Sequence, residues 1–422
     1  MQSINSKGYG MAYLEACANA ALSDLERRFR KRTLTYDQEN GLQAKSARAD
    51  LLHLLSELSS AALESYLSQN TCREVFNLRS NDSLAFGRMR VLQGAASELA
   101  KWVPVGSCSS RLLEGDHPIF ALLEQKCNAL SGYRASLYVN SGFTANEILP
   151  QVLAFPEVAF FSDSANHASL IDGIRLAKIP RERRFVFSHL NYSQLENLLQ
   201  LSDAKCNVIF CESLYSMDGD FSDLKQLAAL AQSYRGVLVV DEAHSMGLHG
   251  LNGMGCLVGN EIEKELLIAV QTCGKALATQ GAFISGPGWL REWIINRGRA
   301  FIYTTAASPL IAALTFIALS VASSLEDARV HLARLSGDFR KQLREKGYLL
   351  EHSRSHIIPI KMDNDEHALK AGAQLSEQGI SVGVIRPPTV PESESRLRMS
   401  LHAGLTQAHL EKVICALPAL NR

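Results

Sequence analysis

Hydrophobic positions along this chain fall into three regimes. From about Gly10 to Arg32 they recur at helical spacing and end in a basic run, Arg27-Arg28-Phe29-Arg30-Lys31-Arg32. A second helical stripe, Leu51, Leu55, Leu58, Ala62 and Tyr66, runs through residues 44–69 and reads as core or subunit packing. From about Val91 to Leu319 short apolar runs alternate with helical patterns. The runs Ser136–Val139, Val158–Phe161, Val208–Cys211, Val237–Val240 and Leu266–Val270 are unbroken rather than alternating. Such runs predict strands buried on both faces, hence a mostly parallel, doubly wound α/β sheet. After about Val321 the pattern changes to long charged helices, with strands near Ile357–Ile360 and Arg396–Ser400. The predicted organisation is a helical segment at 1–90, a large α/β domain at 91–320 and a smaller α+β domain at 321–422.

The uncharged stretch between Arg299 and Glu326 contains the most apolar part of the chain, Pro309–Leu319. It is short for a membrane span and reads as a buried helix at a domain or subunit boundary.

The strand ends bring in chemistry. Asp241-Glu-Ala-His244 directly follows Val237–Val240, which puts a carboxylate and an imidazole at the carboxyl end of a core strand. Open α/β sheets bind ligands there. Thr272-Cys-Gly-Lys275 follows the next run and ends in a lysine flanked by small residues. That lysine is suited to a Schiff base, which needs a primary amine at a protected site. A buried acid, a nearby His and such a Lys together form a constellation that holds pyridoxal 5'-phosphate. Asp241 is the candidate partner of a protonated ring nitrogen, since a buried carboxylate favours that charge. His244 is placed to bond the ring's phenolic oxygen.

A phosphate needs donors. Ser216, in the segment that opens with Glu212, and Thr272 each offer a hydroxyl, and the Gly142-Phe143 amides can open a helix toward an anion. Glu212 is grouped with these cofactor residues. His167 follows a strand and a turn, where its ring can stack on a cofactor. A substrate carboxylate calls for a guanidinium. Arg398 lies on a late strand, and Arg386 and Thr389 lie on a proline-stiffened loop, Arg386-Pro-Pro-Thr389-Val-Pro391.

Bulk composition narrows the partners. With 43 basic and 43 acidic residues the formal charge is zero, which gives no electrostatic case for nucleic acid or an anionic membrane. Nine cysteines without a CxxC pair predict reduced thiols and no metal site. The polar amino terminus shows no secretory signal, and a cytoplasmic enzyme is expected.

Taken in order, these segments resemble the α-oxoamine synthase family of fold-type I pyridoxal phosphate enzymes. The resemblance runs from about Phe76 to the carboxyl end, through Asn77–Asp82, Gly106–Arg111, Ser141–Asn146, Asn166–Ser169, Ser216–Gly219, Asp241–His244 and Thr272–Lys275. It implies that Lys275 binds the cofactor and later moves the α-proton, and that Asp241, His244 and His167 hold the ring. Ser216, Thr272 and the Gly142-Phe143 amides would take the phosphate, with Thr305 reaching it from the second subunit of a homodimer. Arg398 would take the amino-acid carboxylate, Asn81 and Thr389 would lie near the acyl donor, and Arg32 would contact that donor from the basic run. The segments Ile385–Pro391 and Arg396–Arg398 are most similar to members that join L-alanine to a pimeloyl thioester, carried on coenzyme A or acyl carrier protein. Sibling synthases using other amino acid and acyl pairs, or a catalytically silent partner subunit, remain the alternatives.

The chain departs from the family pattern at Ser83, where an aromatic residue is usual, at Cys108-Ser109 in a glycine-rich turn, and at Phe120, where a His is frequent. Residues 36–73 are also longer than the family pattern. All these departures are expected beside the donor entrance and so bear on the acyl donor rather than the cofactor.

Overall fold

The structure, a computed structural model, describes residues 8–28, 30–34, 42–68, 76–350 and 352–417. Its centre is a seven-stranded sheet. The strands are β1 (Ala135–Val139), β2 (Val158–Asp163), β3 (Arg184–Phe187), β4 (Cys206–Glu212), β5 (Gly236–Asp241), β6 (Leu267–Thr272) and β7 (Ala282–Gly286). Their spatial order is β1-β7-β6-β5-β4-β2-β3. The β2–β3, β2–β4, β4–β5 and β5–β6 pairs are parallel, because each connection leaves the sheet before returning. β7 runs antiparallel to both its neighbours. It follows β6 through a tight turn at 273–281, closed by hydrogen bonds from Cys273 N–H to Gly281 O and from Thr279 N–H to Cys273 O.

The apolar runs are long because both faces of the sheet are covered. Val237 and Val239 enter one core with Val208, Phe210, Ile268 and Val270. Leu238 and Val240 enter the other with Ile209, Cys211, Leu267 and Ala269. Each buried Val, Leu, Ile or Phe among them adds about 1.5–3 kcal/mol. The helix Tyr9–Arg27 covers the first face beside Gly288–Arg297, burying Leu14, Ala18 and Leu22.

The apolar helix Pro309–Ser323 lies between Leu42–Ser68 and Pro118–Ser131. Two neighbours account for its hydrophobicity. No single helix among the described residues is long and apolar enough to cross a membrane. Of the segment at 36–73, residues 42–68 form the helix that packs on Pro309–Ser323, and the rest lies outside the described residues.

A second, antiparallel sheet holds β8 (Ile357–Lys361), β9 (Gly383–Ile385) and β10 (Arg396–Ser400) in the order β8-β10-β9. Strand alternation on β10 sends Leu397 and Met399 into the core and leaves Arg396 and Arg398 on the opposite face. The chain before the large sheet is stitched to this one, with Leu78 N–H donating to Ser381 O and Leu78 O accepting from Ser400 N–H, both at 2.8 Å. That stitch positions Asn81.

Candidate active site

Strands β4, β5 and β6 end side by side in Glu212, Asp241 and Thr272, so three polar side chains gather at one edge of the sheet. They line a cavity of about 250 Å³ with Gly142, Phe143, Asn146, His167, Ser169 and Lys275. Seven residues predicted from sequence therefore share one cavity. They are Gly142, Phe143, His167, Glu212, Asp241, Thr272 and Lys275.

Each is set by local structure. Ser141 caps the helix Gly142–Leu153, its Oγ accepting from Thr144 N–H at 3.0 Å. The first amides of that helix have no intrahelical acceptor, and Gly142 and Phe143 line the cavity. Gly142 is required there, since a Cβ would lie 2.4 Å from Thr272 Cγ2. Lys275 sits in the tight turn between β6 and β7. Burial lowers the pKa of its amine, against the pull of Asp241 and Glu212.

Asp241 and Glu212 are register partners on adjacent strands. Burial, then the nearby Asp241 carboxylate, raises the pKa of the Glu212 carboxyl, with Lys275 opposing. Asp241 accepts from Asn146 Nδ2 at 2.6 Å and from Ala243 N–H at 2.8 Å. Asn146 also donates to Ser169 Oγ at 2.9 Å, and Ser169 Oγ lies 2.7 Å from His167 Nδ1. Ser169 N–H donates to the same Nδ1 at 3.2 Å. Nδ1 is thus an acceptor, and neutral His167 carries its proton on Nε2. Burial lowers the pKa of His167, with Asp241 opposing and Lys275 assisting. His167 is further anchored by its own N–H, which donates to Glu212 Oε1 at 2.7 Å.

The remaining predicted residues lie in other places. His244 is buried just beyond Ala243 and off the cavity wall. Its pKa is held well below the usual value by burial and by the Lys275 and Arg398 charges. Arg398, Asn81 and Ser216 form a separate group. Arg398 Nε donates to Ser216 O at 2.5 Å and Nη2 to Asn81 Oδ1 at 3.0 Å. Thr305 is exposed and lines a neighbouring cavity of about 330 Å³ that shares Gln280 and Gly281 with the first. Arg386 and Thr389 are exposed on their loop, with Thr389 N–H bonded to Arg386 O. Arg32 lines a third cavity of about 640 Å³ together with Arg30, Lys31, Arg297 and Arg299. Its backbone and side chain bond to Asn296.

Asn146 and Ser169 received no role from the sequence. The signal was the spacing: Asn146 lies one helical turn beyond Gly142, so both line the same cavity. One departure also reads differently in the structure. Phe120 is fully buried, stacked on Tyr138 and lying under the Arg111 guanidinium at 4.7 Å, so it belongs to the core and not to a donor entrance.

The fold and this strand-end site define a class. The chain belongs to the aminotransferase class I and II family, which matches residues 73–417, and within it to the α-oxoamine synthases. It is 38% identical over 351 residues to the 8-amino-7-oxononanoate synthase of Burkholderia thailandensis, covering 82% of this chain and 88% of that one. It is 34% identical over 363 residues to the 8-amino-7-oxononanoate synthase of Chlorobaculum parvum, covering 83% and 90%. Among solved structures, the 8-amino-7-oxononanoate synthase of Francisella tularensis superposes with a TM-score of 0.70 at 27% identity, covering 81% and 96%. The serine palmitoyltransferase of Sphingomonas wittichii shares the fold, with a TM-score of 0.76 at 24% identity and coverage of 80% and 85%.

Pyridoxal 5'-phosphate is the cofactor of this family, and the residues present fit it. The cavity offers a lysine amine, a carboxylate ordered by two donors, and a histidine ring of fixed tautomer. It also offers a helix amino terminus that only glycine lets approach Thr272.

Proposed function

We propose that this chain acts as an 8-amino-7-oxononanoate synthase, joining L-alanine to a pimeloyl thioester with release of CO2 and the carrier thiol. What carries this reading is that Lys275, Asp241 and His167 line one cavity in a chain so similar to relatives of that name. The cofactor would be held by the Lys275 amine, by Asp241 against its ring nitrogen and by His167 on its face. Thr272 and the Gly142-Phe143 amides would take the phosphate. His244 would lie behind the ring oxygen, and Ser216, through its loop, beside the phosphate. When bound, pyridoxal phosphate supplies a protonated ring that accepts the electrons left as a bond to the α-carbon breaks.

The protein's residues do the rest. Arg398 binds the L-alanine carboxylate, and its bond to Asn81 fixes the direction of its fork. Lys275, whose amine is made easier to deprotonate by burial, removes the α-proton as general base and returns it at the end. His167, with Nε2 protonated, presents a donor toward the carbonyl oxygen of the incoming thioester. Glu212, whose pKa is raised by burial and by Asp241, anchors the backbone N–H of His167.

Thr305 is exposed and off the cavity, which supports a homodimer in which it completes the partner's phosphate site. The eight cysteines described are all free, which supports a reducing, cytoplasmic setting. The basic cavity around Arg32 supports a donor carrying phosphate.

The test is thiol release by the cofactor-loaded protein, crossing L-alanine, glycine and L-serine with pimeloyl, acetyl, succinyl and palmitoyl thioesters. Release with L-alanine and the pimeloyl donor alone is the expected result. Release with another pair moves the protein to a sibling synthase, and release with none would leave a silent subunit.

A further inference from the structure

A cluster of titratable groups lies outside the cavity, between the turn that leads to His167 and the loop 213–222. Asp163, the last residue of β2, and Asp220 are both buried. The His189 ring sits between them, with Nδ1 2.9 Å from Asp163 Oδ1 and Nε2 3.0 Å from Asp220 Oδ2. A carboxylate oxygen accepts, so with one on each side both ring nitrogens must donate, which only the imidazolium can do. Burial alone would lower its pKa, but the hydrogen bonds and charges of Asp163 and Asp220 outweigh that and raise it to about 10. Asp163 also accepts from Ala165 N–H at 2.8 Å and from Leu190 N–H at 3.0 Å, which fixes both the His167 turn and the His189 loop. Tyr215 meets the ring edge-on at 4.4 Å between centroids.

The other end of the bridge holds the substrate arginine. The loop from Tyr215 to Asp220 is closed on itself by Tyr215 N–H to Asp220 O and Gly219 N–H to Tyr215 O, both at 3.0 Å. Its Ser216 carbonyl accepts from Arg398 Nε. The second sheet grips the same loop through the Arg396–Asp218 ion pair. A Cβ on Gly219, at φ +68°, would lie 2.2 Å from Ile357 O, so the loop sits directly against β8. On the large-sheet side the loop is tied by His189.

We propose that His189 is a positioning residue. By bridging Asp163 and Asp220 it locks the Ser216 loop, and through it the Arg398 guanidinium, to the turn that carries His167. The substrate carboxylate and the stacking imidazole are thereby held at a fixed separation across the two sheets. This rests on the reading that Arg398 takes the amino-acid carboxylate.

The experiment is a spectral titration of the holoenzyme with L-alanine at several pH values, for His189→Gln, Asp220→Asn and Arg398→Ala, with thermal midpoints alongside. His189→Gln cannot bridge both carboxylates and is expected to weaken L-alanine binding about tenfold, while the KM for the thioester stays within about twofold. Asp220→Asn is the more conservative probe. The groups facing the ring are Asp163 from β2 and Asp220 and Tyr215 from the loop. With Asp220 neutralised the imidazolium loses one of its two charge partners, and its pKa falls toward working pH. The ratio of variant to parental dissociation constant is therefore expected to rise between roughly pH 6 and 9. A merely structural role lowers the thermal midpoint and gives a ratio independent of pH, and that outcome would overturn the proposal. So would parental L-alanine affinity in both His189→Gln and Asp220→Asn. Parental affinity in Arg398→Ala would instead sink the reading on which the proposal rests.

Discussion

Asn146→Ala tests whether the cofactor site is preorganised by its neighbours. Asn146 is buried, and its Nδ2 donates to Asp241 Oδ2 at 2.6 Å and to Ser169 Oγ at 2.9 Å. Its Oδ1 is buried without a partner, so the side chain is retained for what it donates. Removing a hydrogen bond to a buried charged acceptor costs about 1.5–3 kcal/mol. That loss falls on the Asp241 carboxylate, proposed to face the ring nitrogen. It corresponds to roughly a 10- to 100-fold weaker hold on the cofactor. The assay is equilibrium binding of pyridoxal phosphate to the apoprotein, followed by tryptophan fluorescence, with turnover and thermal unfolding measured in parallel. Asn146→Asp is the companion variant, and it should be worse, because it sets a second carboxylate against Asp241. If Asn146→Ala binds the cofactor and turns over within about twofold of the parent, the idea that Asn146 orders Asp241 is wrong.

Other expectations follow from the same geometry. Lys275→Ala is expected to abolish turnover with an unchanged thermal midpoint, checked by thiol release and calorimetry. Asp241→Asn is expected to bind the cofactor yet lose most activity, since the ring nitrogen loses its counter-charge. Glu242 is buried beneath β5, and burial raises its carboxyl from 4.5 to about 7. A raised carboxyl contributes stability below the unfolded value and loses it as pH climbs through 7, to a total of about 3 kcal/mol. Glu242→Gln should flatten the fall of the thermal midpoint between roughly pH 4.5 and 7. Arg111 is buried against Asp116 at 2.8 Å and Glu124 at 2.5 Å, so Arg111→Met should cost about 3–5 kcal/mol in denaturant unfolding.

Legibility of this chain followed from what each residue does alone. Strands β4 and β5 were readable because both faces are buried, leaving unbroken runs such as Val237–Val240. Asp241 and Lys275 stood out because a charge next to such a run has no packing purpose. β3 was not readable. It is an edge strand with Val186 exposed and arginine at its start, and so it lacks the apolar run. The antiparallel direction of β7 depends on the closure of the 273–281 turn, which no periodicity reports. Asn146 and His189 were hidden for a common reason. An Asn in a helix and a His after a strand look ordinary until the fold brings Asp241 to one, and Asp163 and Asp220 to the other. Phe120 was misplaced because a family departure was expected beside the donor entrance, whereas Tyr138 and Arg111 enclose it.

The central claim is tested most directly by mass spectrometry of the product formed from L-alanine and a pimeloyl thioester by the cofactor-loaded protein. The account predicts 8-amino-7-oxononanoate with one CO2 and one thiol released per turnover, and none of the three from Lys275→Ala. An amino-group exchange product with no thiol released, or the same amino ketone from Lys275→Ala at the parental rate, would contradict it.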